Sequence, residues 1–232
     1  MIPLRLGPSS GGRRAPISLL APATAAALIA LLPLWYLVDR ALAEGLDALL
    51  AEVASAQTAA LLARSLGLVA MVTALCLVIG ITCALLVVRT DVPGAKAMEV
   101  LLAVPLAVPS FVAAFAWVSW RPSISGFWGA TLVLTLVSYP FVYLPVSAAL
   151  RRLDPAQEEV SRSLGRGMLA TVLSVTLPQV RTAAAAGGLL VALYTLSDFG
   201  AVSIVRFNTF TVAIYNAYSG LFDRTSAAVL AA

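Results

Sequence analysis

Glu159-Val160-Ser161-Arg162-Ser163-Leu164-Gly165, followed after nine further residues by Val175-Thr176-Leu177-Pro178, is the stretch on which the reading of this chain turns. It is polar, carries arginines, and lies between two strongly apolar regions. Just upstream, Asp154-Pro155 signals a helix start: aspartate can cap an N-terminus and proline suits the first turn. Gln157, Glu158 and Glu159 then fall near that N-terminus, where negative charge is favoured. Gly165 and Gly167 end the turn and permit a reversal of direction. A second short helix is expected over about Met168–Leu177, ending before Pro178. The sum is a helix–glycine–helix hairpin, a shape that fits a cleft in a soluble partner.

The flanks are membrane. Of 232 residues, 61% are hydrophobic and only 11% charged, and the mean hydropathy is +0.97. A soluble domain of this size needs far more charge, so the chain reads as an integral membrane protein. Long apolar runs, rather than ten-residue alternating segments, indicate a helical bundle and not a barrel. The net charge of +4 is scattered between spans with no basic stripe, so nucleic acid is not expected as a partner. There is no histidine, and Lys96 is the single lysine. That removes histidine-based catalysis and histidine-rich metal sites, and the pattern GxxxxGK[ST] is absent, so ATP is not bound in that manner. No polar cluster has acid–base or metal-ligand spacing: neither an enzyme, a cofactor nor a metal is expected. Cys76 and Cys83 fall seven apart on one helix, ~10 Å along its axis, too far for a disulfide. They read as packed thiols.

Working outward, residues 1–16 form a tail and about Ile17–Val38 a first span, interrupted by Pro22 and Pro33. Twin Arg13-Arg14 before an apolar run resembles a secretion signal, but the run is long enough to span. A polar connection covers Asp39 to Arg64. Further spans are expected over about Ser65–Val88, Met98–Trp120, Phe127–Leu150 and Thr182–Val205, with the polar insertion at 151–181 and a loop to Arg224. Ser226–Ala232 begins a sixth apolar run that is too short to cross a bilayer, which needs roughly 20 residues. A fragment of a longer protein is therefore expected. Arg5, Arg13, Arg14, Arg89, Lys96, Arg151, Arg152, Arg162, Arg166 and Arg181 fall on one side. Arg40, Arg64, Arg121, Arg206 and Arg224 fall on the other. Ten against five places the first set, the insertion and the N-terminus in the cytoplasm. Trp35, Tyr36, Trp117, Trp120 and Trp128 gather at the opposite ends, as an interfacial belt would.

The insertion resembles the cytoplasmic motif E-A-A-x3-G-x9-I-x-L-P of the inner-membrane permeases of ATP-binding-cassette importers. Glu159, Gly165, Val175, Leu177 and Pro178 occupy its fixed positions at the same spacing. Val160 and Ser161 stand for the two alanines and Val175 for isoleucine. Ser197-Asp198-Phe199-Gly200-Ala201-Val202, Asn208-Thr209-Phe210-Thr211 with Ile214-Tyr215, and Ser138-Tyr139-Pro140-Phe141-Val142-Tyr143-Leu144 are similar to the iron(III)-type members. The likeness covers roughly residues 60–232, as the first of two modules. It implies an all-α bundle of the MetI-like type with five complete spans and the start of a sixth. It also implies Glu158, Glu159, Ser161, Gly165, Val175, Leu177 and Pro178 as the surface that meets an ATPase. The implied partners are a cytoplasmic ATP-binding subunit dimer, a periplasmic or extracellular substrate-binding protein, a second permease module and membrane lipid. The implied substrate is iron(III), with thiamine, polyamine or sulfate permeases sharing the architecture.

Other residues invite two readings each. Asp198 is the acidic residue deepest in an expected span, ~24 Å from the cytoplasmic end of its helix. Intramembrane ionisable groups are functional candidates, yet Ser197 and Asp198 could equally cap a helix restarting at Gly200. Tyr139 and Tyr143 share one helix face, and phenol oxygens suit a hard cation, but tyrosine also packs helices. Pro105 and Pro109 kink their span, either to line a cavity or as a packing distortion. Ala183–Gly188 offers small residues for close helix contact. Arg166 and Arg181 read first as positive-inside anchors. An ion-coupled secondary transporter would show more midplane charge and inverted repeats. A membrane scaffold would use the hairpin only to recruit a soluble protein.

Overall fold

The structure is a computed structural model that describes residues 17–42, 50 and 54–220. The tail over 1–16, most of the Asp39–Arg64 connection's middle and the apolar run at 226–232 lie outside the described residues. Every regular element among the described residues is helical: α1 Ile17–Leu42, α2 Ala56–Arg89, α3 Ala95–Ala103, α4 Ser110–Trp120, α5 Gly126–Arg152, α6 Ala156–Ser163, α7 Met168–Ser197, α8 Gly200–Ile204 and α9 Phe210–Gly220. Three of these, α2, α5 and α7, are long and apolar enough to cross a membrane. A fourth crossing is possible if α3 and α4, which meet at 93°, count as one.

α2 shows why the bundle forms. Its buried residues are Thr58, Leu61, Ser65, Leu68, Val72, Cys76, Gly80, Ala84 and Val87, a stripe that repeats every three or four positions and so stays on one helix face. Leu77, Ile79, Ile81, Leu85 and Val88 pack partly buried against that core, while Leu62, Leu66, Leu75, Val78 and Leu86 are exposed, as lipid contact allows. Ser55 starts the helix by accepting from the Thr58 amide at 3.1 Å, so α2 begins nine residues before the expected Ser65. Its 34 residues span ~50 Å, longer than a bilayer core requires.

Glycine brings the three long helices together. A Cβ on Gly80 of α2 would stand 2.8 Å from Val142 Cβ, and one on Gly187 of α7 would stand 2.7 Å from the Phe141 carbonyl oxygen. The α5 backbone at Phe141–Val142 is thus held between two glycines, one from each neighbour. Association of helices in lipid depends on such close approach, because lipid tails are as apolar as the side chains.

Three corrections concern helix ends. The span expected over Met98–Trp120 is broken. Pro105 opens a 3-10 turn at Val104–Ala107, Val108 is extended as residues before proline are, and the helix resumes at Ser110 after Pro109. The short helix expected to stop before Pro178 instead runs on as α7 through Pro178 to Ser197. A π turn at Val172–Thr176 widens the ladder, with the Leu177 amide donating to the Val172 carbonyl. That turn accommodates a proline ring that would otherwise clash with the carbonyl four residues back. The last expected span does not reach Val205: it ends at Ser197, and the loop expected to Arg224 contains α9.

The bundle has two polar ends. At one, Arg89 pairs with Glu158 and Arg151 with Glu99. At the other, the Gly126 amide donates to the Val205 carbonyl at 2.6 Å and the Phe127 and Phe207 rings meet at 5.6 Å.

Candidate functional site

The hairpin is built by a Schellman closure. α6 begins where Asp154 Oδ1 accepts from the Ala156 amide at 3.0 Å. It ends with Gly165 at φ +81°, where the Gly165 amide donates to the Arg162 carbonyl and the Arg166 amide to the Ser161 carbonyl. A residue with a Cβ is strained there, which is the physical need for glycine. The chain then turns straight into α7, so the second arm of the hairpin and a membrane-crossing helix are one rod.

The two arms are clasped by polar side chains. Ser161, buried, lies 3.0 Å from the Thr171 hydroxyl. Thr176 donates to Glu158 Oε1 at 2.9 Å, and Gln179 to Gln157 Oε1 at 3.0 Å. Arg166 reaches Ser174 at 3.0 Å. Glu158 Oε1 also forms an ion pair with Arg89, whose Nε lies 3.1 Å away, with both side chains largely withdrawn from solvent. Ser161 therefore faces inward and joins the two arms, and Glu158 both joins the arms and pairs with α2.

The outward face is different. Val160, Leu164, Met168, Leu169 and Leu173 are exposed, Leu164 by 76% and Leu169 by 73%. An open depression of about 450 Å³ lies beside them, lined by Ala156, Gln157, Val160, Ser161, Leu164, Arg166 and Val175. Glu159 is exposed and borders a separate polar cleft of about 230 Å³ with Arg89, Asp91 and Arg162. Leu177 is half-buried and Pro178 exposed, at the foot of α7. The structure thus brings Ser161 and Val175 to one depression and Glu158 and Glu159 to the neighbouring cleft, and adds apolar residues that the motif does not contain. Leu164, Met168 and Leu169 flank Gly165 and Gly167 in sequence, so apolar residues in a polar segment were the available signal. Arg89 and Thr176 carried none.

Asp198 sits at the opposite end of α7 and is buried. Its Oδ1 accepts from the Ala201 amide at 2.9 Å and the Val202 amide at 3.3 Å, capping α8. Its Oδ2 accepts from the Ser110 hydroxyl at 2.5 Å, and its backbone carbonyl from Thr211 at 2.8 Å. Tyr139 and Tyr143 lie in the middle of α5, both buried. Tyr143 borders a cleft of about 440 Å³ with Glu99, Val100, Leu144, Ser147 and Arg151. Among the described residues no group of three or more metal-ligating side chains is found.

Apolar helices long enough to cross a membrane, one pair of them broken, around a glycine-packed core and with a polar hairpin continuous with one of them, define a polytopic helical membrane component. Residues 76–232 match the family of binding-protein-dependent transport system inner membrane components, and the chain belongs to it. It is similar to the Fe(3+)-transport system permease protein FbpB 2 of Haemophilus influenzae, 39% identical over 201 residues, 87% of this chain and 40% of that protein. It is also similar to the sulfate transport system permease protein CysT of Salmonella typhimurium, 30% identical over 56% of this chain and 53% of that protein. The molybdate/tungstate transport system permease protein WtpB of Thermococcus kodakarensis is 30% identical over 60% of this chain and 58% of that protein. The matches span between 40% and 58% of these relatives' lengths. All three relatives are named as transport system permease proteins.

Proposed function

We propose that this chain forms part of the membrane path of an ATP-driven importer and that residues 154–178 receive the work of an ATP-binding subunit dimer in the cytoplasm. The observation that carries this reading is the two-faced hairpin. Its inner face closes on itself through Ser161–Thr171 and Glu158–Thr176 and is tied to α2 by the Glu158–Arg89 pair, while its outer face presents Leu164 and Leu169 to solvent. An apolar surface rimmed by Glu159, Arg162 and Arg166 suits a cleft in a soluble subunit. Gly165 sets the turn, and Val175, Leu177 and Pro178 join the hairpin to α7. Movement of the wedge would shift the spans between two packings, biased by nucleotide on one side and by a loaded binding protein on the other. A second permease module completes the path, and the N-terminus is cytoplasmic with the hairpin.

Iron(III) is the proposed substrate, supported by the 39% identity to an Fe(3+) permease. The likeness to sulfate and molybdate/tungstate permeases supports oxyanions as the second reading. Tyr139, Tyr143 and Asp198 are the proposed path residues. Asp198, already engaged as a cap, suits a gate rather than an ion ligand. The deciding experiment is to purify the complete assembly and ask which solute-loaded binding protein stimulates its ATPase. Glu159→Lys and Gly165→Asp are expected to abolish ATPase association and uptake. Labelling of residues 154–178 from outside intact spheroplasts would sink the assignment.

A further inference from the structure

A single carboxylate oxygen, Glu158 Oε1, joins three elements. It belongs to α6, accepts from Thr176 at the π turn of α7, and pairs with Arg89 at the last residue of α2. The hairpin is covalently continuous with α7, so any push on it reaches α7 directly. α2 has no such connection: α3, α4 and the whole of α5 intervene in sequence. At the hairpin's end of the bundle, Arg89 is the side chain by which α2 grips it.

The electrostatics favour this joint from both sides. Arg89 stands in the last turn of a helix, where cations are favoured, and Glu158 in the first turn of another, where anions are favoured. The C-terminus of α2 and the N-terminus of α6 are thereby set against each other with complementary charge. Arg89 Nε and Nη2 are both buried without a hydrogen bond of good geometry, so the contact with Glu158 is a charge pair at 3.1 Å. Burying a guanidinium this way is a poor means of gaining stability, since its desolvation offsets the attraction. A geometric role accounts for it better: the pair fixes where the end of α2 sits relative to the hairpin.

We propose that Arg89 is a positioning residue that makes α2 travel with the hairpin and α7 as one body during the transport cycle, with Glu158 as the pivot. The inference rests on the importer reading and adds to it the residue that recruits a second span. Packing of α2 against α7 at Gly188 is undisturbed by changes at Arg89, so the two contributions are separable.

The test uses the complete importer. With iron(III) on its binding protein as the probe, Arg89→Gln and Glu158→Gln should lower solute moved per ATP hydrolysed by at least ~5-fold, the lower range of typical coupling between sites. ATPase activity should continue in Arg89→Gln, which lies outside the hairpin. Arg89→Lys should restore part of the ratio, and R89E/E158R together should exceed either single change. Independently, spin labels at Asp91→Cys and Ser163→Cys, with Cys76 and Cys83 replaced by alanine, should keep their separation on ATP binding. If the labels move apart in the otherwise unaltered assembly, or if Arg89→Gln leaves the ratio unchanged, the inference is overturned. If the unaltered assembly shows no ATP-dependent uptake of any offered solute, the importer reading itself fails instead.

Discussion

The Ser110 hydroxyl donates to Asp198 Oδ2 at 2.5 Å and joins two helix breaks that lie 88 residues apart in sequence. One break lies at Val108–Pro109, and the other between Ser197 and Gly200. Each alone would leave backbone groups unpaired in an apolar setting. Where they meet, Asp198 pairs the Ala201 and Val202 amides of α8, and Gly200 sits so close to Phe111 that an added Cβ would stand 2.8 Å from Phe111 Cβ. Non-helical backbone at membrane depth is tolerated where protein covers it, and this latch is that cover.

Asp198→Ala removes the cap and the acceptor at once. Caps contribute typically ~1 kcal/mol, and hydrogen bonds to charged groups about 1.5–3 kcal/mol. A loss on the order of 2 kcal/mol is expected, read as a lowered midpoint of thermal unfolding in detergent. Ser110→Ala alone should cost less. A double-mutant cycle should give coupling of about 1 kcal/mol between the two. Additive effects would show that the latch is not an energetic unit.

Gly187→Ala places a methyl against backbone, 2.7 Å from the Phe141 carbonyl oxygen and 2.8 Å from Val142 Cα. Backbone cannot swing aside, so the helices must part. A destabilisation of about 1–3 kcal/mol is expected from overpacking. Gly67, on α2 with nothing within 4 Å of an added Cβ, is the control: Gly67→Ala should be neutral or raise stability by up to ~1 kcal/mol through helix propensity. Comparable melting temperatures for the two variants would contradict the packing account.

Leu164→Asp and Leu169→Asp alter side chains that are mostly exposed, so stability should change by less than ~0.5 kcal/mol. Binding of the ATP-binding subunit should weaken by about 30-fold, as for an interface residue worth roughly 2 kcal/mol. Surface plasmon resonance on the reconstituted permease would read this directly. Unaltered affinity would move the docking face elsewhere on the hairpin.

Arg206 occupies φ +57° at the end of α8. The Phe207 amide donates to the Val202 carbonyl and the Arg206 amide to the Ser203 carbonyl, the same closure that Gly165 makes on α6. A non-glycine residue there costs about 1–2 kcal/mol. Arg206→Gly should therefore raise the unfolding midpoint, and a lowered midpoint would mean that the arginine side chain holds an unseen contact.

The helical class, the hairpin and its glycine turn were legible because each depends on local chemistry. Apolar run length reports membrane crossing, Asp154-Pro155 reports a helix start, and glycine at position 165 reports a left-handed backbone. The family motif is a spacing, and spacing is read directly. The continuity of α7 was not legible, because Pro178 is a breaker by local rules and only the preceding π turn makes room for it. The break at Pro109 was read as a kink, but its 93° angle depends on what Ser110 meets across the bundle.

The sequence by itself determined that this chain is a helical membrane protein of the permease family with a polar, glycine-turned wedge between two spans. Only the tertiary structure decided which glutamate looks inward. Adjacent helix positions differ by about 100° in direction, and nothing local marks Glu158 rather than Glu159 as the partner of Arg89 and Thr176. The same holds for Asp198, whose cap could be anticipated from Gly200 but whose bond to Ser110 required two distant breaks to meet. Local chemistry fixes where a helix starts, stops and turns; which side chains then face one another depends on how the finished helices pack.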